Sequence, residues 1–250
     1  MRKKQNEMSF FEHLGEFRKR ILYSLAGVVI FFMASWPFVD KLYYWLSLPV
    51  LKYLPKGTNL AFTSLTEPFM MYVKLSFISG LFLASPFIFY QLWLFIAPAL
   101  YKKEKHLVFP FVLMTTVFFL AGGAFGYFIT FPWACEFFLD VGKNFTPIIT
   151  INEYFSLAFR VLVGIAVVFE MPVLAFLLAK MRIISARFLV KYFKYAVVAI
   201  FIIAAVITPT PDMITQSIFA LPMIVLYLLS ILIAKWVGPK DEEKEDKNHG

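Results

Sequence analysis

Two carboxylates in this sequence lie among basic residues in a pattern that suits the binding of a guanidinium group. Glu16 precedes the basic run RKR in EHLGEFRKRIL, and Glu104 lies between lysines in YKKEKH. Neighbouring cations keep a carboxylate ionised, and the planar fork of arginine binds carboxylates in a bidentate way that lysine does not reproduce. The two acids therefore indicate a site for an arginine-bearing ligand, provided that the fold brings them to the same side.

Each acid also has an ordinary structural role open to it. Glu16 is spaced to pair with Lys19 or Arg20 on a helix, an interaction worth about 0.2–0.5 kcal/mol. Glu104 could simply be solvated among its lysines. The binding interpretation depends on both acids acting together.

Glu170 is a third acid of interest, because it lies inside the apolar stretch VVFEMPVLAF. A carboxylate at membrane depth costs about 2.5–3.5 kcal/mol on insertion scales and is a functional-site hypothesis by default. The alternative is a protonated or paired structural acid. No basic residue lies within one helical turn of Glu170, so its partner must come from another helix or another protein.

The polar residues around TPTPD form a further candidate group. Thr208 and Asp212 lie beside prolines, where turn chemistry explains them, whereas Gln216 is a side chain that can bind between helices in lipid. Arg160 and Lys74 are also inside apolar segments, but near predicted ends, where long side chains snorkel to the interface.

The composition places these residues in a membrane protein. The chain is 60% hydrophobic and 16% charged, with a mean hydropathy of +0.74, whereas soluble domains are about 25% charged. Its single cysteine and three scattered histidines show no metal-ligand spacing. No phosphate loop, dinucleotide fingerprint, nucleophile elbow or HExxH motif is present. We therefore expect no cofactor, no metal and no enzymatic activity.

The elements that position the acids are predicted to be six transmembrane helices, because each span needs about 17–25 mostly apolar residues. Backbone in lipid must satisfy its own hydrogen bonds, which favours an all-α, polytopic bundle. We expect a single domain over 1–239, a short interfacial helix within 40–68, an outer loop over 132–153 and a disordered tail over 240–250. The fifth and sixth helices are expected to be short and joined by a tight hairpin, with local thinning of the bilayer. The predicted spans are 21–39, 69–98, 107–131, 154–179, 194–208 and 213–235.

The orientation follows from the basic residues, since cytoplasmic loops carry an excess of lysine and arginine. With these spans, 18 of the 24 basic residues fall on one side. Both termini are therefore predicted to be cytoplasmic, with Glu16 and Glu104 on that same face. The net charge of +8 is then explained by topology, and we expect no nucleic-acid partner.

Four segments of the sequence resemble the TatC family, the receptor subunits of the twin-arginine protein translocase. The resemblance covers all six spans in order. It departs from the family pattern at Phe17, where relatives usually carry leucine, and at His106, where some carry arginine. The segments are HLGEFRKRI (13–21), SPFIFYQLWLFIAPALYKKEK (85–105), FEMPV (169–173) and TPTPDMITQSIFALPM (208–223).

The resemblance implies a receptor in a bacterial-type inner membrane that binds twin-arginine signal peptides of folded proteins at its cytoplasmic face, in a system energised by the proton-motive force. It implies that Glu170 contacts polar groups on the single-span subunits TatA and TatB. Those partners are implied to dock on the face that carries Thr208, Asp212 and Gln216. Self-association is left open. The residues implied to bind the signal peptide are Glu16, Glu104, Phe95, Leu14, Arg18 and Arg20.

Other functions remain as alternatives. The strongest is a proton- or cation-coupled secondary transporter that uses Glu170, although the sequence shows no internal repeat. A membrane protease would need a Ser/His or paired-Asp arrangement at membrane depth, and none is visible. A passive scaffold is distinguished from a receptor by the effect of changing Glu16 on peptide binding.

Overall fold

The computed structural model describes residues 10–52, 60–96, 108–208 and 212–238. This part of the chain is almost entirely helical, as the sequence predicts. In chain order its α-helices are α1 (Phe10–Ser35), α2 (Val39–Leu51), α3 (Glu67–Ile96), α4 (Val108–Phe125), α5 (Phe131–Val141), α6 (Ile151–Val168), α7 (Met171–Lys180), α8 (Ala186–Lys191), α9 (Phe193–Ile207) and α10 (Met213–Val237).

Five continuous helical stretches of the described chain are long and apolar enough to cross a membrane. A sixth apolar helix, α9, has only 15 residues. The prediction of six apolar helices with a short fifth member is therefore confirmed. The five long stretches are His13–Leu51, Glu67–Ile96, Phe109–Val141, Ile151–Lys180 and Met213–Val237.

The expectation of a short sixth helix is wrong, because α10 has 25 residues. Asp212 caps its first turn by accepting hydrogen bonds from the backbone N–H groups of Ile214 and Thr215, so the helix begins directly after the predicted hairpin. Pro222 lies inside α10 without ending it. The whole apolar run is consequently helical.

The predicted outer loop over 132–153 is also partly wrong, because α5 occupies its first part. A π-helical turn over Gly126–Thr130 joins α4 to α5. Pro132 then lies in the first turn of α5, where a missing N–H group is tolerated. Here a proline marks the start of a helix rather than a loop. The helix predicted within 40–68 corresponds to α2.

Residues 1–42 and 72–116 form one compact unit, in which α1 and α3 run antiparallel. A Cβ atom built at Gly80 on α3 would lie 2.7 Å from the backbone nitrogen of Phe32 on α1. Nearer the other end, a Cβ at Gly27 would lie 2.6 Å from the ring of Phe87. The two glycines permit this close approach, which brings the N-terminal half of α1 beside the C-terminal half of α3.

Residues 43–71 and 117–250 form a second compact unit. Its centre is α6, where Phe155, Val161 and Ile165 are at most 1% exposed. Helix α10 packs against α7, α8 and α9, and Gly164 of α6 lets Ile207 of α9 approach closely.

The glycines of AGGAFGYF also serve packing within the second unit. A Cβ at Gly122 would lie 2.7 Å from Cβ of Phe169 and 2.8 Å from Cα of Ala166. A Cβ at Gly126 would lie 3.4 Å from Cα of Leu162. Both glycines therefore face α6.

Candidate functional site

The first candidate site lies in the unit of residues 1–42 and 72–116, between the N-terminal half of α1 and the C-terminal half of α3. Arg20 places Nη2 2.6 Å and Nε 2.8 Å from Oε1 of Glu16. Its third nitrogen, Nη1, donates to Oε1 of Gln91 at 3.0 Å. The side chains of Arg20 and Glu16 are 22% and 23% exposed, whereas Gln91 is buried. Arg20 is thus held between an acid of its own helix and an amide of the neighbouring one.

This arrangement leaves the carboxylate of Glu16 able to bind a second cation. Both contacts from Arg20 fall on one oxygen, Oε1. Among the described residues, Oε2 of Glu16 makes no ion pair or hydrogen bond. A carboxylate has about four acceptor directions on its two oxygens, so a guanidinium from outside can share it with Arg20.

An aromatic group lies next to this ion pair. The ring of Phe95, one turn after Gln91 on α3, stacks on His13 with a centroid distance of 4.5 Å. Phe17 lies against the same ring at 5.2 Å. Since His13 and Phe17 share the face of α1 that carries the ion pair, the aromatic rings and the carboxylate form one patch.

The structure brings together some of the predicted binding residues and not others. Glu16, Arg20 and Phe95 belong to the patch just described. Leu14 and Arg18 lie on an adjacent, exposed face of α1, with Leu14 48% exposed. Glu104 lies outside the described residues.

Sequence reasoning missed Gln91, His13 and Phe17 as members of the patch. Gln91 is the one amide in the apolar run FIFYQLWLFI, and a lone amide in such a run is typical of a hydrogen bond to another helix. Its partner could not be named, because Arg20 is 71 residues away in the sequence.

Glu170 lies in the second unit, at the short interruption between α6 and α7. Pro172 lies in the first turn of α7 and has no N–H group to donate to Val168, so the helical hydrogen-bond series is broken here. The Glu170 residue is only 9% exposed. Its Oε1 atom is buried and makes no hydrogen bond within the described part of the chain. A buried carboxylate oxygen without a partner is unfavourable for folding, which favours a role in binding.

The three residues near the hairpin have different local roles. Thr208 is buried, and its hydroxyl donates to the carbonyl of Ala204 at 3.0 Å. Asp212 caps α10 and also accepts from the hydroxyl of Thr215. Gln216 is half-buried on the first turn of α10, and its side-chain amide makes no hydrogen bond among the described residues. Thr208 and Asp212 thus have structural partners, whereas the Gln216 amide has unused donors and acceptors.

Comparison with known proteins identifies the family to which this chain is similar. The family model for the Sec-independent protein translocase protein (TatC) matches residues 12–222. Among named relatives, the TatC protein of Koribacter versatilis is 45% identical over 95% of this chain and 89% of its own length. TatCy of Bacillus subtilis is 36% identical over 94% of this chain and 91% of its own length.

Solved structures agree with the sequence relatives. A crystal structure of the twin-arginine translocase receptor TatC superimposes with a TM-score of 0.82 at 35% identity, covering 90% of this chain and 99% of the other. A second crystal structure of that receptor, in DDM, gives a TM-score of 0.83 at the same identity.

The chain belongs to the TatC family. The resemblance stated from the four sequence segments is thereby confirmed, and the chain is a multi-pass membrane protein. The alternative of a cation-coupled transporter receives no support from these matches.

Proposed function

We propose that this chain is the receptor subunit of a twin-arginine translocase, which binds the signal peptides of folded proteins and recruits single-span subunits of the TatA and TatB type. The observation that carries this proposal is the carboxylate of Glu16, which Arg20 contacts through only one oxygen and which lies beside the exposed ring of Phe17. A receptor role requires binding and no catalytic group.

The arginines of the signal peptide are assigned to the carboxylates. A peptide guanidinium approaching Oε2 of Glu16 would make a charge-assisted hydrogen bond, and lysine would make a weaker, less directed one. Arg20 repels this second cation, but its hydrogen bond to Gln91 holds it on the far oxygen. The second peptide arginine is assigned to Glu104 by the family resemblance alone.

The apolar part of the signal peptide is assigned to the side chains around Phe95. Phe17 is 45% exposed and Leu14 is 48% exposed, so apolar area is available next to the carboxylate. An acid flanked by exposed apolar side chains suits a ligand that has arginines followed by an apolar segment.

The proposed orientation places this patch at the cytoplasmic surface of a bacterial-type inner membrane, with both termini inside. Its support is the predominance of basic residues on the side of the N-terminus.

Glu170 and Gln216 are assigned to the single-span partners. Each offers polar atoms without a partner among the described residues, in segments otherwise rich in apolar side chains. A polar side chain on a partner's membrane helix would satisfy them, as interhelical hydrogen bonds do in lipid.

The test of the receptor role is binding of a fluorescent twin-arginine signal peptide to the purified chain. We expect Glu16→Ala, and separately Glu104→Ala, to weaken binding about tenfold or more. Glu136→Ala is the matched control, because it removes an exposed glutamate from the other compact unit. Equal binding by all variants would contradict the proposal.

The test of the partner role is disulfide or photo-crosslinking in membranes that contain TatA and TatB. We expect a crosslinker at Gln216 to capture a single-span subunit and Glu170→Gln to reduce the yield. An unchanged crosslinking yield in Glu170→Gln would contradict a contact between Glu170 and the single-span subunit.

A further inference from the structure

The second compact unit contains a cavity lined by two charged residues, neither of which belongs to the proposed receptor site. Its volume is about 530 Å³, within the range of about 300–1,000 Å³ that is typical of ligand pockets. Its walls come from α2, α5 and α6. The side chains that matter are Val50, Cys135, Leu139, Glu153, Leu157 and Arg160.

The charged residues lie on one face of α6. Glu153, Leu157 and Arg160 are spaced at i, i+4 and i+7, so they form one stripe about 10 Å long. Helical side chains lean toward the N-terminus, which directs the Arg160 guanidinium back toward Glu153.

Neither charge is satisfied within the described part of the protein. Arg160 is exposed and makes no ion pair or hydrogen bond there. The carboxylate of Glu153 is also exposed and makes no such contact; only its backbone N–H is bound, to the hydroxyl of Thr150. A cation and an anion lining one cavity at opposite ends of an apolar stripe match a ligand that is itself dipolar.

The rest of the wall is apolar. Val50, Cys135 and Leu139 line the cavity opposite α6, and Val50 and Cys135 are almost fully buried. Arg160 lies nine residues inside a helical stretch of 30 residues that is apolar enough to span a membrane. A ligand here must therefore combine charged groups with hydrocarbon.

We propose that this cavity binds one phospholipid with a zwitterionic, primary-amine headgroup. The phosphate binds Arg160, the ammonium group binds Glu153, and an acyl chain follows the apolar wall. In the proposed orientation the start of α6 faces outward, so the order of amine, phosphate and chain from the surface inward is that of a lipid in a bilayer.

The chemistry of the headgroup gives the selectivity. A primary ammonium has three N–H donors for the Glu153 carboxylate, whereas a quaternary ammonium has none. Arginine binds phosphate through a planar fork that lysine lacks. A phosphoethanolamine lipid should therefore bind more tightly than phosphocholine or phosphoglycerol lipids with the same chains.

The experiment is native mass spectrometry of the full-length chain after equilibration with lipids that share one pair of acyl chains. We expect the wild-type chain to retain one phosphatidylethanolamine molecule in preference to phosphatidylcholine and phosphatidylglycerol. Arg160→Gln should reduce retention about tenfold or more, and Arg160→Lys should restore part of it. Glu153→Gln should remove the preference for ethanolamine over choline.

Two controls test whether retention depends on this cavity and on the acyl chain, rather than on any anion near a basic surface. Lys194→Gln removes a basic residue outside the cavity and should leave retention unchanged. Inorganic phosphate at millimolar concentration should not displace the lipid; if it does, the site is a simple anion site and the proposal fails.

A further readout needs no substitution. Cys135 lines the cavity and is the only cysteine of the chain. Its reaction with a small thiol reagent should be slower in ethanolamine-lipid vesicles than in choline-lipid vesicles. Equal lipid retention and equal labelling rates would overturn the proposal.

Discussion

Replacing Gly80 by alanine tests the close contact of α1 and α3 on which the receptor patch depends. The new Cβ would lie 2.7 Å from the backbone nitrogen and 2.8 Å from Cα of Phe32. Both atoms belong to the backbone of α1. Ordinary contact can be restored only by moving the two helices apart.

The expected magnitude follows from two opposing effects. Overpacking costs about 1–3 kcal/mol, while alanine in place of glycine gains about 0.8–1.0 kcal/mol of helix propensity. Gly15→Ala is the matched control on α1, because a Cβ there meets nothing within 4 Å and only the gain applies. We therefore expect the free energy of unfolding to differ by about 1–3 kcal/mol between the two variants. Gly27→Ala should fall between them, because its Cβ meets the ring of Phe87, which can rotate.

The assay is thermal unfolding of the purified chain in detergent, followed by tryptophan fluorescence. For a chain of this length, 1 kcal/mol corresponds to about 2–4 °C in Tm. Gly80→Ala should also weaken binding of the twin-arginine peptide, since separation of the helices stretches the hydrogen bond from Arg20 to Gln91. A Tm for Gly80→Ala equal to that of Gly15→Ala would refute the close packing.

Four further substitutions test other parts of the structure. Arg182 has φ of 58° after α7, a conformation that favours glycine, so Arg182→Gly should raise Tm; a decrease would contradict this. The buried hydroxyl of Tyr154 donates to the carbonyl of Leu46 at 2.7 Å, so Tyr154→Phe should lower the free energy of unfolding by about 1–3 kcal/mol. Tyr127→Phe, which loses a more exposed bond of the same kind, should cost less, and equal losses would refute the role of burial. Glu170→Gln should leave Tm unchanged or raise it, because Oε1 has no partner to lose among the described residues; a clear fall would show that the carboxylate is paired within the fold.

The helices are predictable where the apolar composition alone determines them. The spans α3, α9 and α10 begin and end within a few residues of the predicted bounds. The predicted start of α1, residue 21, lies inside the helix, which is already formed at Phe10, because hydropathy marks where a helix becomes apolar and not where it begins. The helix α5 escapes prediction because Pro132 is as typical of a loop as of the first turn of a helix.

The candidate site is predictable only in its local part. The pairing of Glu16 with Arg20 follows from their spacing on one helix. The contact of Arg20 with Gln91, and of His13 with Phe95, depends on how α1 packs against α3, which two glycines permit and no local pattern reveals. For Arg160 the sequence predicts only a snorkelling side chain, since the cavity beside it is formed by three separate helices.

The most direct test of the receptor proposal is a double-mutant cycle between Glu16 and the peptide. The four affinities are those of wild type and Glu16→Gln for twin-arginine and twin-lysine peptides. If a peptide guanidinium binds Glu16, the two changes should be coupled by about 1.5–3 kcal/mol, because the arginine loses its advantage once the carboxylate is gone. A coupling energy near zero would contradict direct contact and leave Glu16 as the partner of Arg20 alone.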